Sequence, residues 1–221
     1  MKLLINALVK FFGGLISFAL LLFLPAGTFD YPYAYLMLGL LFVPMLIVGT
    51  VLFVKSPDLL EKRLDTKEKI KAQKGVVALF TLIFPIGFIV AALDFRFAWS
   101  HVPYSCTLIC AMLFLAGYGM FALVMRQNAY ASRTVKVDEG QKLIDSGLYS
   151  FVRHPMYLAS LFMFLPMPLI LGSFYSLIPF AFYIPAIVTR IISEEKLLCA
   201  KLCGYAEYTK KVKYRRIPFI W

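Results

Sequence analysis

Long uncharged runs alternate with short charged segments along the chain, and this alternation predicts a helical membrane protein. Residues 33–54, for example, carry no charged side chain. A helix of this length covers the ~30 Å hydrocarbon core of a bilayer, because each residue adds ~1.5 Å along the helix axis. Three further runs are equally apolar, apart from Lys10 in the first. We therefore predict four transmembrane helices, at about residues 3–24, 33–54, 75–93 and 102–125.

The last uncharged run, residues 155–189, is interrupted by several helix-breaking residues: Pro166, Pro168, Gly172, Pro179 and Pro185. Each proline lacks a backbone N–H and clashes with the preceding turn of a helix, so one straight helix cannot hold all of them. Two broken helices that form a hairpin, turning near residues 166–173, satisfy the pattern and return the chain to the side that it left. The predicted fold class is an all-α integral membrane protein with four transmembrane helices and a C-terminal, proline-broken helical hairpin.

Two regions follow from this pattern. Residues 1–125 form a transmembrane helical scaffold, and residues 126–221 contain a polar segment, the hairpin at 155–189 and a charged tail. Within the scaffold, residues 55–74 mix basic and acidic side chains at spacings that suit ion pairs on a helix surface. We interpret residues 55–74 as a solvated connector, with a lipid or substrate site as the alternative.

The composition agrees with a membrane protein and sets its orientation. The hydrophobic fraction is 61% and the mean hydropathy is +0.79, above what a soluble domain needs. The net charge of +11 would suit a nucleic-acid partner on a solvated face, but here the basic residues cluster in loops beside the spans. Loops 25–32 and 94–101 hold only Arg96 of the 23 basic residues, which predicts cytoplasmic N- and C-termini and no nucleic-acid partner.

Candidate chemistry is concentrated at the two ends of the hairpin. Arg153 and His154 precede the uncharged run, and three ionisable residues follow it: Arg190, Glu194 and Glu195. A closed hairpin brings these five side chains together at the cytoplasmic face. Ionisable groups at the edge of a bilayer are tolerated chiefly when they face a polar cavity or a charged partner. They therefore indicate a binding pocket, although a packing network or a surface pair of Arg190 and Glu194 is the alternative. The two histidines, His101 and His154, lie far apart, so we predict no metal site.

Three motifs in this region resemble a known family. They are G-x-Y-x-x-x-R-H-P-x-Y at residues 147–157, the Glu194-Glu195 pair, and an ending that contains Gly204, Tyr205, Tyr208, Val212, Arg215 and Pro218. Together they resemble the membrane-embedded isoprenylcysteine carboxyl methyltransferase family, which has relatives among the phospholipid N-methyltransferases. The resemblance covers roughly residues 126–221, and the short chain looks like the prokaryotic branch. It implies a location in a prokaryotic inner membrane.

The resemblance implies methyl transfer from S-adenosylmethionine to a lipophilic or lipidated acceptor that enters from the bilayer. In the family, a cytoplasmic segment and the Arg-His-Pro turn hold the cofactor. Carried over to this chain, the implied cofactor-binding residues are Thr134, Gln141, Lys142, Leu143, Ile144, Tyr149, Arg153, His154, Pro155, Met156 and Glu194.

The family's substrate-positioning arginine falls on Arg190, and its glutamate falls on either Glu194 or Glu195, so these three are the implied catalytic residues. A carboxylate acceptor, which is favoured, is already ionised at neutral pH and needs no base. Arg190 would then hold it, and a glutamate would bind the amino group of the cofactor. An amine or thiol acceptor would instead use a glutamate as general base. O-, N- and S-methylation all remain open, as does the oligomeric state.

Two other functions fit parts of the pattern. Membrane sterol reductases, which use NADPH, resemble the chain in its Arg-His-Pro and in its closing residues Val212, Tyr214, Arg215 and Pro218. A non-enzymatic membrane scaffold would use the same polar cluster for packing alone. The adjacent glutamates and the short chain favour the methyltransferase.

Overall fold

All regular secondary structure in the residues that the structure describes is helical. The computed structural model describes residues 2–65, 71–131, 137 and 139–215 and, within them, the side chains of all but residues 71–74. In chain order the helices are α1 (Lys2–Ala26), α2 (Pro32–Lys55), α3 (Pro57–Leu64), α4 (Lys71–Phe97), α5 (Tyr104–Gln127), α6 (Pro155–Phe164), α7 (Met167–Ile170), α8 (Leu177–Ala181), α9 (Tyr183–Lys201) and α10 (Tyr205–Lys211). A single 3-10 turn, Gly147–Ser150, precedes α6.

Five segments of these ranges are long and apolar enough to cross a membrane: Lys2–Ala26, Pro32–Lys55, Gly75–Phe97, Tyr104–Gln127 and Leu177–Lys201. The first four carry the four spans predicted from hydropathy. The fifth joins α8 to α9 and is the second arm of the hairpin, whereas the first arm, Pro155–Ile170, is shorter. The chain is therefore an integral, multi-pass membrane protein with an all-α fold. How many of the five segments cross the bilayer stays a prediction.

The prolines of the hairpin fix where its helices begin. Pro155 is the first residue of α6, Pro168 the second of α7, and Pro179 and Pro185 the third of α8 and α9. The first turn of a helix has no internal partner for its N–H groups, so a proline there loses no hydrogen bond. The sequence thus forms three short helices, α6, α7 and α8, and the 19-residue α9 in place of two unbroken ones. Gly172 has a φ of 80° at the bend between α7 and α8, a conformation that favours glycine.

Buried hydrogen bonds hold the bend of the hairpin against the scaffold. The Tyr31 hydroxyl donates to the carbonyl oxygen of Leu171 at 2.8 Å. Asp94 is completely buried and accepts hydrogen bonds from the backbone N–H of Ser100 at 2.7 Å and from the hydroxyl of Ser173. A buried carboxylate is stable only with such partners. These contacts fix one end of the hairpin and so define the position of its other end, which holds the charged motifs.

Close packing of α5 on α6 positions the start of α6. A β-carbon at Gly117 would lie 2.9 Å from the carbonyl oxygen of Ala159 and 2.8 Å from the β-carbon of Phe162. Only glycine permits this approach, because no real β-carbon tolerates contacts under about 3.0 Å. The contact between the helices therefore sets where the Arg-His-Pro turn lies relative to the end of α5.

The sequence predicts that the charged connector, residues 55–74, is solvated. The structure differs, because part of the connector is buried. In α3, Leu59 and Leu60 are 5% and 7% exposed. Their burial anchors α3 to the bundle, because each apolar side chain taken out of water contributes about 1.5–3 kcal/mol. Residues 66–70 of the connector lie outside the described residues.

Candidate active site

A polar cavity lies where the segment after α5, the start of α6, one face of α9 and α10 meet. It is lined by nearly all of the site residues predicted from the sequence, namely Gln141, Lys142, Leu143, Ile144, Tyr149, Arg153, His154, Pro155, Met156, Arg190 and Glu194. Two predicted residues are not part of the lining as described. Glu195 lies behind the cavity wall, and Thr134 lies outside the described residues.

Arg190, Tyr157 and Glu194 form a connected polar array in the cavity wall. The Nε of Arg190 donates a hydrogen bond to the Tyr157 hydroxyl at 3.1 Å, and that hydroxyl donates to the Glu194 carboxylate. Arg190 and Glu194 are one helical turn apart on α9, and Arg190 is only 7% exposed. The phenol of α6 thus links a buried cation to a carboxylate, and all three groups line the cavity.

Glu195 occupies a different environment from its neighbour. Its Oε1 lies 3.0 Å from Arg153 Nε and 3.3 Å from His154 Nε2, and its Oε2 accepts a hydrogen bond from Arg215 Nε at 2.7 Å. Successive residues on an α-helix point about 100° apart, and this rotation gives the two adjacent glutamates different surroundings. Glu194 faces the cavity, and Glu195 joins three basic side chains behind it.

The C-terminal segment holds the Arg-His-Pro turn from outside. The backbone N–H of Arg153 donates to the carbonyl oxygen of Tyr214 at 3.0 Å, and that of His154 donates to the carbonyl oxygen of Arg215 at 2.8 Å. The N–H groups just before a helix would otherwise lack partners. Together with the ion pairs of Glu195, these hydrogen bonds fix the turn that leads into α6.

The Gly-x-Tyr part of the motif is locked by the end of α5. Gly147 has a φ of 61°, a conformation that favours glycine, and a β-carbon there would lie 2.6 Å from Nε2 of Gln127, so the glutamine side chain would have to move. Asn128 Nδ2 donates to the Tyr149 hydroxyl at 2.7 Å, and the Tyr208 hydroxyl donates to the carbonyl oxygen of Tyr149 at 2.6 Å. Burial raises the pKa of Tyr149 to about 12, so this phenol is neutral at physiological pH.

The Tyr205 hydroxyl has no hydrogen-bond partner among the described residues, although Tyr205 is 3% exposed and lines the cavity. A buried hydroxyl without a partner destabilises a protein by about 1–3 kcal/mol. Burial also raises the pKa of Tyr205 well above its ordinary value, so the group is a neutral phenol that can donate. An unsatisfied donor in a cavity wall suits a ligand that accepts a hydrogen bond.

Several lining residues were not among the predicted site residues: Asn128, Tyr130, Ala131, Tyr157, Leu198, Leu202, Tyr205 and Tyr208. Tyr157 ends the G-x-Y-x-x-x-R-H-P-x-Y motif, and Tyr205 and Tyr208 belong to the C-terminal motif. Membership in these motifs could have identified all three as site residues. The residues of α10 reach the cavity because Leu202, Tyr205, Tyr208 and Val212 pack on Val137 and Leu143. α10 thus covers the polar segment that contains Val137 and Leu143. The sequence gives no local signal for this packing.

The cavity encloses about 110 Å³. Pockets that hold drug-sized ligands typically enclose ~300–1,000 Å³. A ligand of that size must therefore extend through the open mouth of the cavity or displace part of its wall. Residues 141–144 of the wall have no regular secondary structure, so they can move without breaking a helix.

The fold and the site define an integral membrane protein with a charged cavity built from the last helices of its bundle. Residues 107–200 of the chain match the model of the Isoprenylcysteine carboxyl methyltransferase (ICMT) family. The matched range contains the motif at 147–157 and the Glu194-Glu195 pair, so the match supports the resemblance to this family that the motifs indicated. The match therefore points to a membrane methyltransferase.

Proposed function

We propose that the protein transfers a methyl group from S-adenosylmethionine to a lipid-like or isoprenylcysteine-like acceptor at the cytoplasmic membrane face, with carboxylate O-methylation favoured. The observation that carries this proposal is the array of Arg190, Tyr157 and Glu194 in a cavity lined by the family's motif residues. The array offers a cation and a carboxylate side by side. The cation suits an anionic acceptor, and the carboxylate suits the positively charged amino group of the cofactor.

The side chains of the cavity fit the cofactor. S-adenosylmethionine supplies, when bound, a methyl group on a positively charged sulfur. The Glu194 carboxylate suits the positively charged amino group, because charge-assisted hydrogen bonds are about twice as strong as neutral ones. The unpartnered Tyr205 hydroxyl is a ready donor for an oxygen or nitrogen acceptor of the ligand. Gln141, Lys142, Leu143, Ile144, Tyr149, Arg153, His154, Pro155 and Met156 would form the remaining wall of the cofactor site.

Arg190 suits a carboxylate acceptor. A guanidinium group presents parallel N–H donors that match the two oxygens of a carboxylate, and a buried one gains most from a negative partner. A carboxylate is already ionised at neutral pH, so its methylation requires no base. An amine or thiol acceptor would lose a proton, and Glu194 with its Tyr157 partner is the group placed to take it.

The rest of the site supports catalysis by positioning and by exclusion of water. Methyl transfer needs the acceptor in line with the leaving sulfur, and competing water must be kept away. Helix packing holds Tyr157 of α6 against Arg190 and Glu194 of α9. The contacts of Glu195 with Arg153, His154 and Arg215 fix the Arg-His-Pro turn. Tyr205 and Tyr208 of α10 form part of the cavity wall.

The family match favours this function over an NADPH-dependent reductase of the sterol type. Equilibrium binding to the purified full chain in detergent separates the two functions. We expect S-adenosylhomocysteine, the product form of the cofactor, to bind, and we expect the Glu194→Gln variant to bind it more weakly. Binding of NADPH with no binding of S-adenosylhomocysteine would contradict the proposal. A scaffold function would be supported if no variant of the cavity were folded and deficient in cofactor binding.

The acceptor class is tested by the alkali lability of the transferred methyl group. The full chain is incubated with S-adenosylmethionine labelled in its methyl group and with a membrane lipid and prenyl-cysteine extract. A carboxyl methyl ester releases labelled methanol in base, whereas methylamines and thioethers keep the label. We expect release of most of the label. Retention of the label would leave the methyltransferase standing and overturn the carboxylate acceptor.

A further inference from the structure

We propose that Arg63 of α3 is a positioning residue that joins two walls of the cofactor cavity. The inference rests on the proposed function. Arg63 lies outside residues 107–200, so the family match does not include it. The N-terminal scaffold would then contribute directly to the site and would not serve only as a membrane anchor.

The Arg63 guanidinium contacts three separate elements at once. Its Nη1 donates a hydrogen bond to the carbonyl oxygen of Ala131 at 3.3 Å and lies 3.6 Å from the sulfur of Met156. Its central carbon lies 4.8 Å from the ring centroid of Phe121 on α5. Ala131 and Met156 both line the cavity, one from the segment after α5 and the other from the start of α6. A single side chain thus connects the two walls to each other and to α5.

The helix that carries Arg63 is itself anchored. Leu59 and Leu60 bury one face of α3 in the bundle, and the Lys10 ammonium of α1 donates to the carbonyl oxygen of Leu64 at the end of α3. A cation at a helix C-terminus satisfies a carbonyl that has no partner within the helix. Lys62, the preceding residue, lies 5.5 Å from the ring of Tyr130, which also lines the cavity. The last turn of α3 therefore contacts the cavity wall through both Lys62 and Arg63.

An arginine suits this position better than a lysine. The guanidinium plane stacks on an aromatic ring while its edge donates hydrogen bonds, and the two contacts with Phe121 and Ala131 need that combination. A lysine would keep the charge and could reach one partner as a point charge. The chemistry of the contact thus predicts a graded effect, in which charge alone restores part of the function.

Arg63 does not line the cavity, so it acts through Ala131 and Met156. Without Arg63, the two walls are free to separate. Part of the free energy of cofactor binding is then used to order them. Such a loss weakens binding and leaves the reacting groups unchanged. We therefore expect an effect on cofactor affinity and on KM for the cofactor, with little effect on kcat at saturating cofactor.

The test compares Arg63→Gln and Arg63→Lys with Arg126→Gln in the full chain. Arg126 is an exposed arginine in the last turn of α5, so its variant removes the same charge from the same side of the membrane. Calorimetry with S-adenosylhomocysteine gives the dissociation constant. Labelled methyl transfer into the lipid and prenyl-cysteine extract gives KM for the cofactor and kcat. Thermal unfolding shows which variants are folded.

We expect Arg63→Gln to weaken binding about 10-fold to 100-fold, Arg63→Lys to lie between it and the wild type, and Arg126→Gln to stay within about twofold of the wild type. Folded Arg63→Gln that binds as tightly as the wild type would overturn the inference, as would equal losses in Arg63→Gln and Arg126→Gln. If Arg63→Gln does not fold, Arg63→Lys decides: wild-type affinity in that variant overturns the inference. A wild type that does not bind S-adenosylhomocysteine would contradict the proposed function itself.

Discussion

The Tyr157 hydroxyl accepts a hydrogen bond from the Nε of Arg190 at 3.1 Å, and this contact connects the first arm of the hairpin to the second. The same hydroxyl donates to Glu194, so one phenol orients both charged groups of the cavity. Tyr157→Phe removes the link and keeps the ring. Because hydrogen bonds to charged groups contribute about 1.5–3 kcal/mol, we expect kcat/KM to fall roughly 10-fold to 100-fold.

Steady-state methyl transfer measures this change, and Tyr175→Phe is the matched control. Tyr175 is 47% exposed in the loop before α8, so loss of its hydroxyl should leave the rate unchanged. Equal rates for Tyr157→Phe and the wild type would show that the phenol does not orient Arg190 and Glu194 for the reaction.

The two adjacent glutamates are predicted to have separate roles. Glu195→Gln leaves the charges of Arg153 and Arg215 without their common partner, and loss of one member of a buried ion pair typically destabilises a protein by about 3–5 kcal/mol. We expect a clear fall in the unfolding temperature. Glu194→Gln should unfold like the wild type and bind S-adenosylhomocysteine roughly 10-fold or more weakly.

Thermal unfolding and calorimetry on both variants check this assignment, with Glu207→Gln on the exposed face of α10 as control. The reverse pattern, in which Glu194→Gln unfolds early and Glu195→Gln binds weakly, would assign the ligand contact to Glu195.

Tyr205→Phe should change stability and binding in opposite directions. The hydroxyl has no partner among the described residues, so its removal relieves a buried polar group, and the free protein should be as stable as the wild type or more so, by up to about 1–3 kcal/mol. The bound ligand would lose one neutral hydrogen bond, which predicts a roughly 2-fold to 10-fold rise in the dissociation constant of S-adenosylhomocysteine. Unfolding with and without the ligand measures both effects. A variant that is less stable and binds normally would mean that Tyr205 has only a structural role.

The buried tyrosines near the cavity predict a loss of stability at high pH. Burial raises the pKa of Tyr149 to about 12, and in an unfolded chain the pKa of tyrosine is about 10. The folded state therefore keeps the proton where the unfolded state loses it. The resulting contribution is complete below about pH 10 and is lost as the pH rises towards 12.

Unfolding temperatures between pH 8 and 11.5 should fall above pH 10, and the fall should be smaller for Tyr149→Phe. The exposed Tyr104 provides the control variant Tyr104→Phe, which should follow the wild type. An identical alkaline decline in Tyr149→Phe would place the titrating group elsewhere.

Much of the fold follows from patterns that the bilayer imposes. Uncharged runs long enough to cross a membrane predicted the positions of α1, α2, α4 and α5, and the prolines of residues 155–189 predicted a broken hairpin, because backbone groups in lipid leave few alternatives. The motif spacing brought His154 and Glu195 into one neighbourhood, where their side chains lie 3.3 Å apart.

Other features depend on packing that the sequence does not express. Whether Glu194 or Glu195 faces the cavity is decided by the rotation of α9 about its axis, which adjacent identical residues leave undetermined. Arg63 contacts Met156 across more than ninety positions of the chain, so no local pattern links them. The unpartnered hydroxyl of Tyr205 becomes visible only when all of its neighbours are known.

Transfer of a labelled methyl group from S-adenosylmethionine into a membrane lipid and prenyl-cysteine extract tests the proposed function most directly. The purified full chain should label an extractable lipophilic product, and Arg190→Ala should label it at least about 10-fold more slowly while it still unfolds cooperatively. No labelled product with the wild type, or equal labelling by folded Arg190→Ala, would contradict the account.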